Sequence, residues 1–203
     1  MRKLTKRVAF CLMIAVLIFL SGILADRNVL HNSLIRLHVV ANSDDPEDQA
    51  IKLQVRDAVV RSLQSAMTDI ADVEQAKAYL QENLPKIRTV ANQALQKAGV
   101  EMDAVVTLAE EAFSTRFYDT FTLPAGVYQA LRITIGEGEG QNWWCVVFPS
   151  LCLPATTDGF EDVAAGAGFE DTLTATLTGK SGYEIRFYLL DKLGELENMF
   201  FAG

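Results

Sequence analysis

G-E-G-E-G-Q-N-W-W-C-V-V-F-P-S-L-C-L, residues 136–153, holds both tryptophans of the chain, two of its three cysteines and three alternating glycines. Gly136, Gly138 and Gly140 permit positive φ and a tight reversal. The six residues starting at Trp143 are aromatic, β-branched or Cys, the composition of a buried strand. Pro149 has no N–H to donate and ends that ladder. Neighbouring strand residues point to opposite faces, so one of Trp143 and Trp144 belongs in the core and the other faces outward as a contact residue.

Upstream of the glycines, residues 127–135, 116–123 and 104–113 have strand patterns, the first two joined by the turn Leu123-Pro124-Ala125-Gly126. Such short connections make antiparallel neighbours. Before residue 100 the period becomes helical. Ile87, Val90, Ala91, Ala94, Leu95 and Ala98 share one face, which Gly99 closes in the left-handed conformation. Asp72 caps the start of this region, with Gln75 reaching back in a capping box, and Pro85 breaks or restarts the helix. Ile51, Val55, Ala58, Val59 and Leu63 make one apolar stripe over residues 46–67, behind Asp45 as cap and Pro46 at the first helical position. Glu47 and Asp48 suit the positive helix start, and Asp57 and Arg61 are spaced as an acid-to-base pair.

Residues 34–41, L-I-R-L-H-V-V-A, alternate apolar side chains with Arg36 and His38 and read as the first strand. Residues 156–177 have weak periodicity and read as a long loop with some helix near 160–165, residues 183–188 as a strand, and Leu189, Leu190, Leu193 and Leu196 as a helix. The fold class that follows is α+β: an N-terminal strand and two to three helices covering one face of a mainly antiparallel sheet.

The N-terminus has a different composition. Arg2, Lys3, Lys6 and Arg7 precede thirteen uninterrupted apolar residues, 8–20, the layout of a secretory signal. Thirteen is short for a span of about 20 residues, but extension through Ser21 and Gly22 to Ala25 makes one. Residues 1–25 are therefore a signal peptide or a membrane anchor, residues 26–203 a single exported domain, and residues 26–33 a polar connector carrying His31. Without the four basic residues the remainder has 14 Lys and Arg against 26 Asp and Glu. That field repels nucleic acid and anionic headgroups. With Cys11 assigned to the apolar core, Cys145 and Cys152 remain, seven apart around Pro149. They form a disulfide worth about 2–3 kcal/mol, or two buried thiols acting as small hydrophobes.

Catalytic machinery is hard to find. His31 and His38 have no nucleophile at a fixed spacing, and Asp44, Asp45, Glu47 and Asp48 lack the spaced loop and distal Glu of a calcium site, so no cofactor or metal is expected. The glycines precede a strand instead of a helix and are no dinucleotide fingerprint. Arg116, Tyr118 and Arg132 are candidates for lining a pocket around an anionic group.

Two blocks are more specific. I-R-L-H-V-V-A-N-S-D-D-P-E-D-Q-A-I-K-L-Q-V-R-D-A-V at 35–59 and L-P-A-G-V-Y-Q-A-L-R-I-T-I-G-E-G-E-G-Q-N-W-W-C-V-V-F-P-S-L-C at 123–152 strongly resemble the stage II sporulation protein R family of endospore-forming bacteria. The chain departs from the family at Ser150, where a second Pro is common, and in the variable segment 156–182. The resemblance implies a signalling protein, made in the forespore and exported to the space between the two sporulation membranes. There it triggers a membrane-bound aspartic protease that cleaves the precursor of the mother-cell sigma factor E. Its partner would be the extracytoplasmic face of that protease. Arg36, Asn42, Ser43, Asp44, Arg56 and Asp57 are candidates for an interface or a structural polar network, and Trp143 and Trp144 for core or contact. The competing classes are an exported cell-envelope hydrolase and an envelope-binding module.

Overall fold

A computed structural model describes residues 2–70, 72–149, 160–166 and 168–201. The element order is α1 (Arg2–Ser33), β1 (Ile35–Val40), α2 (Pro46–Asp69), α3 (Val73–Lys97), β2 (Ala104–Phe113), β3 (Arg116–Phe117), β4 (Thr122–Leu123), β5 (Gly126–Ile135), β6 (Asn142–Phe148), α4 (Phe160–Gly166), α5 (Asp171–Leu177) and α6 (Glu184–Phe201). The main sheet runs β2-β5-β1-β6. β2/β5 and β1/β6 are antiparallel, and β1/β5 is parallel, Ile35 opposite Gln129 and Val40 opposite Thr134. The fold is α+β with a mixed sheet, because the N-terminal strand inserts between two strands that follow each other in sequence.

Helices cover both faces, not one. Ile35, Leu37 and Val39 pack with Ile51, Val55 and Leu63 of α2 and with Leu80, Ile87 and Leu95 of α3. On the opposite face Phe113, Tyr128 and Val146 pack with Ile23 and Leu30 of α1, Phe160, Leu173 and Leu190. Arg36 and His38 are buried beneath this second layer, so the strand's polar alternation does not mark a face toward water.

α3 begins at Asp72, whose carboxylate accepts from the Gln75 N–H at 2.9 Å and its side-chain amide at 2.7 Å. The helix runs through Pro85 unbroken, since Leu80, Ile87 and Ala91 on either side of it are held in the core. It ends at Gly99, φ 77°, with Val100 N–H on the Leu95 carbonyl. Residues 116–123 are a separate hairpin, not one strand, because the Tyr118 N–H closes back on the Phe121 carbonyl at 2.9 Å.

Two further expectations change. The expected strand at 183–188 is helical from Glu184 on, as the start of α6, which seats Gly194 against the Ala125 carbonyl, where a Cβ would overlap. Residues 26–33 continue α1 instead of forming a connector. Ile23, Asp26 and Leu30 recur at three- and four-residue spacing and are all buried. Arg186 clamps Asp26 at 2.5 and 2.6 Å, Arg27 pairs with Glu197, and the His31 ring stacks on Tyr128 at 5.0 Å. α1 is long and apolar enough to cross a membrane, and its foot is part of the domain core.

That junction predicts unequal effects along one helix. Ile23→Ala should lower the unfolding free energy by about 2–4 kcal/mol, while Ile18→Ala, at a 66% exposed position, should leave it unchanged; denaturant melts of the full chain in detergent measure both.

Candidate functional site

The candidate residues fall into two constellations on opposite sides of β1. The first joins the turn after β1 to the glycine turn before β6. Asn42 Nδ2 and Ser43 Oγ both donate to Asp48 Oδ2, at 2.8 and 2.6 Å, while Asn42 Oδ1 accepts from the Glu137 N–H at 3.0 Å. Asp44 Oδ1 accepts from the Gln141 N–H at 2.7 Å, and the Glu139 and Gly140 N–H groups donate to the Asn42 and Ala41 carbonyls. Lys52, buried, donates to the Gln141 carbonyl at 2.9 Å and to Gln49 Oε1 at 2.6 Å, and Gln49 donates to the Ser43 carbonyl. Gly136 and Gly138 sit at φ 55° and 68°, and a Cβ on Gly140 would occupy the place of the Ser43 carbonyl. The glycines thus let two turns interlock.

The interlock reassigns the acidic run. Asp45 stands at the N-cap position of α2 without a side-chain cap bond. Asp48 serves the clasp instead, and the Ser43 and Asn42 donors hold its carboxyl below the usual carboxylate range. Burial pushes the Lys52 ammonium down.

Beside the clasp, Trp143 is 38% exposed with the Arg56 guanidinium 4.2 Å above its ring. Arg56 pairs with its neighbour Asp57 at 2.6 Å, which replaces the expected Asp57–Arg61 pair. Leu53, also exposed, lies three residues before Arg56 on the same side of α2. An apolar ring with a cation on its face is therefore presented on the α2 side, and Asp44, Asp45 and Glu47 at the start of α2 are exposed acids. This is the composition of an interface anchor.

The second constellation lies under the other helical layer. Arg36 is fully buried, its guanidinium 4.0 Å from the Phe113 ring centre and 5.1 Å from that of Tyr128, and it donates to the Tyr118 hydroxyl at 3.2 Å. Trp144 stacks on His38 at 3.8 Å and carries Arg116 on its ring at 4.5 Å. His38 Nδ1 meets Glu111 Oε2 at 2.7 Å, so with Glu111 ionised Nδ1 carries the proton. Burial and then the Arg36 charge lower the Arg116 pKa. Of the three residues read as pocket candidates, Tyr118 reaches Arg36 and Arg116 lies on Trp144, whereas Arg132 turns to Glu111 and Thr134. Glu111, Phe113 and Tyr128 went unread; Phe113 and Tyr128 look like ordinary core residues until the topology sets them over Arg36.

Among the described residues His38 Nε2 has no hydrogen-bond partner, hydroxyl or thiol, and no three His, Cys, Asp or Glu side chains converge as metal ligands. Cys145 is buried, and its expected pairing with Cys152 lies outside the described residues.

A family model described as Stage II sporulation protein R matches residues 31–158. The chain belongs to this family. Stage II sporulation protein R of Bacillus subtilis (strain 168) is 32% identical over 186 residues, covering 83% of this chain and 83% of the relative. No solved structure matches. The matched segment begins near the end of α1 and contains β1 to β6, so both constellations lie within the family's shared region.

The clasp has a pH signature. Because Asp48 is depressed in the folded chain, its contribution is complete above the ordinary carboxylate range and is lost as the pH falls through the lowered value. Asp48→Asn should lower stability at neutral pH and flatten the acid limb of the melting-temperature profile. Gly140→Ala should cost about 1–3 kcal/mol, measured by denaturant melts at neutral pH.

Proposed function

We propose that this protein is an exported sporulation signal that activates a membrane-bound aspartic protease, leading to cleavage of the mother-cell sigma E precursor. Membership of the stage II sporulation protein R family carries the reading. The apolar helix α1 supports it, since it is suited to an export signal or anchor and ends inside the domain core. The domain acts as a binding signal and not as a catalyst: it favours the active, dimeric state of the protease by contacting that state more tightly. The forespore exports it, and it meets the protease from the intermembrane space.

The contact is assigned to the Trp143–Arg56 surface. An exposed tryptophan held by a stacked cation loses little side-chain freedom on docking, and its ring supplies a large apolar area. The clasp fixes the start of β6 against α2, so the ring keeps its direction. Trp144, on the other face, is engaged within the domain.

The decisive assay reconstitutes the protease and its sigma precursor in membranes, with and without the full chain. Processing should require the chain. Trp143→Ala should reduce processing by about tenfold or more at matched protein level and unchanged melting temperature, and Arg56→Ala should reduce it less. Wild-type processing by both variants overturns the contact surface; processing without the chain overturns the signalling role.

A further inference from the structure

Arg36 and Arg116 form an uncompensated pair. Arg36 is 0% exposed, yet among the described residues its Nε and Nη1 have no hydrogen-bond partner, and the same holds for Arg116 Nε. Neither guanidinium is in a salt bridge with any described residue, and the Arg36 charge acts against that of Arg116. His38, 5% exposed, leaves Nε2 without a partner in the same layer. Stacking on Phe113, Tyr128 and Trp144 offsets part of the cost. It does not supply the counter-charge that a buried cation needs, and a second cation nearby adds repulsion.

The shape of the box narrows the missing group. Both guanidiniums lie over aromatic ring faces, and Arg36 Nε and Nη1 and Arg116 Nε are the donors left without a partner among the described residues. A planar carboxylate fits a guanidinium edge with two parallel hydrogen bonds. A phosphate dianion, which guanidinium forks also accept, has further oxygens for which the ring faces supply no donors. The walls are ring faces, which suit an apolar stem. Trp144, Arg116 and Tyr118 are only partly buried, and the last two sit on the β3–β4 hairpin outside the main sheet, which makes that edge the way in.

We infer that the Arg36–Arg116 box is a binding site for a carboxylate carried on an apolar stem, the acid entering beside Trp144 and pairing with both guanidiniums. The site is on the opposite face of β1 from Trp143 and stands independently of the proposed signalling contact.

Trp144 reports on it directly. In a Trp143→Phe background the full chain in detergent has Trp144 as its single tryptophan, and its emission is titrated with phenylacetate, a short peptide ending in Phe with a free carboxylate, the same peptide as its amide, and inorganic phosphate. At least one carboxylate probe should give a saturable change and raise the melting temperature, and the amide should bind about tenfold or more weaker. Tighter binding of the peptide assigns the site to a chain terminus, and tighter binding of phenylacetate to a free acid; either supports the proposal. Arg116→Gln should weaken the carboxylate probe by about tenfold with unchanged circular dichroism; should that variant unfold, Arg116→Lys, which keeps the charge and removes the fork, should weaken it as well. No saturable response to either carboxylate, equal binding of acid and amide, phosphate binding as tightly as the better carboxylate, or undiminished binding by the folded Arg116 variant overturns the inference.

Discussion

Strand β1 is hydrogen-bonded along both edges and covered on both faces, and the positions of the other elements follow from that burial. Its edges fix β5 in parallel and β6 antiparallel. Its odd-numbered side chains fill the core under α2 and α3, and Arg36 and His38 project into the other layer. A slip of one residue would drive the arginine into the aliphatic core and leave Leu37 among the stacked rings. Register is therefore strongly enforced. The clasp adds a second lock just past the strand, where Asn42 and Asp44 hold the turn that delivers β6.

These two locks divide the domain into faces with different chemistry. On the α2 side the polar groups are mutually satisfied, and what reaches the surface is a stacked Trp143–Arg56 pair. On the α6 side the aromatic rings are stacked, Arg27 and Arg186 are paired with carboxylates, and Arg36 and Arg116 have no carboxylate partner among the described residues. Rigidity on the first side suits recognition of a protein surface; unmet charge on the second suits capture of a small acidic group.

Local patterns were enough to read much of this architecture. The limits of β2, the start of α2 at Pro46, the Asp72 cap and the left-handed Gly99 all follow from periodicity and turn chemistry within a few residues. The misreadings share a cause, which is dependence on partners distant in sequence. Asp26 and Arg27 look solvent-bound until Arg186 and Glu197 are placed beside them. Residues 183–188 alternate over too short a window for the pattern to separate strand from helix, and Gly194 packing on Ala125 belongs to the tertiary structure. The site was legible in the same uneven way. Arg36, Asn42, Ser43, Asp44, Arg56 and Asp57 were read together as an interface or a structural polar network; the fold sets Asn42, Ser43 and Asp44 in the clasp and Arg56 and Asp57 beside Trp143, and the two-residue strand period sends Arg36 to the far face.

The central place of β1 also has a cost in time. Its six residues emerge early in synthesis, but the strands that must flank it lie roughly ninety or more residues downstream, and closing so long a loop is slow relative to forming the local helices α2 and α3. Until β5 and β6 arrive, Ile35, Leu37 and Val39 have only helical surfaces to rest on, and both strand edges are open to pairing with another chain. The acidic character of the rest of the chain opposes such encounters by mutual repulsion. The excess of carboxylates can thus be read as protection for a nascent chain whose most completely buried strand waits longest for its partners.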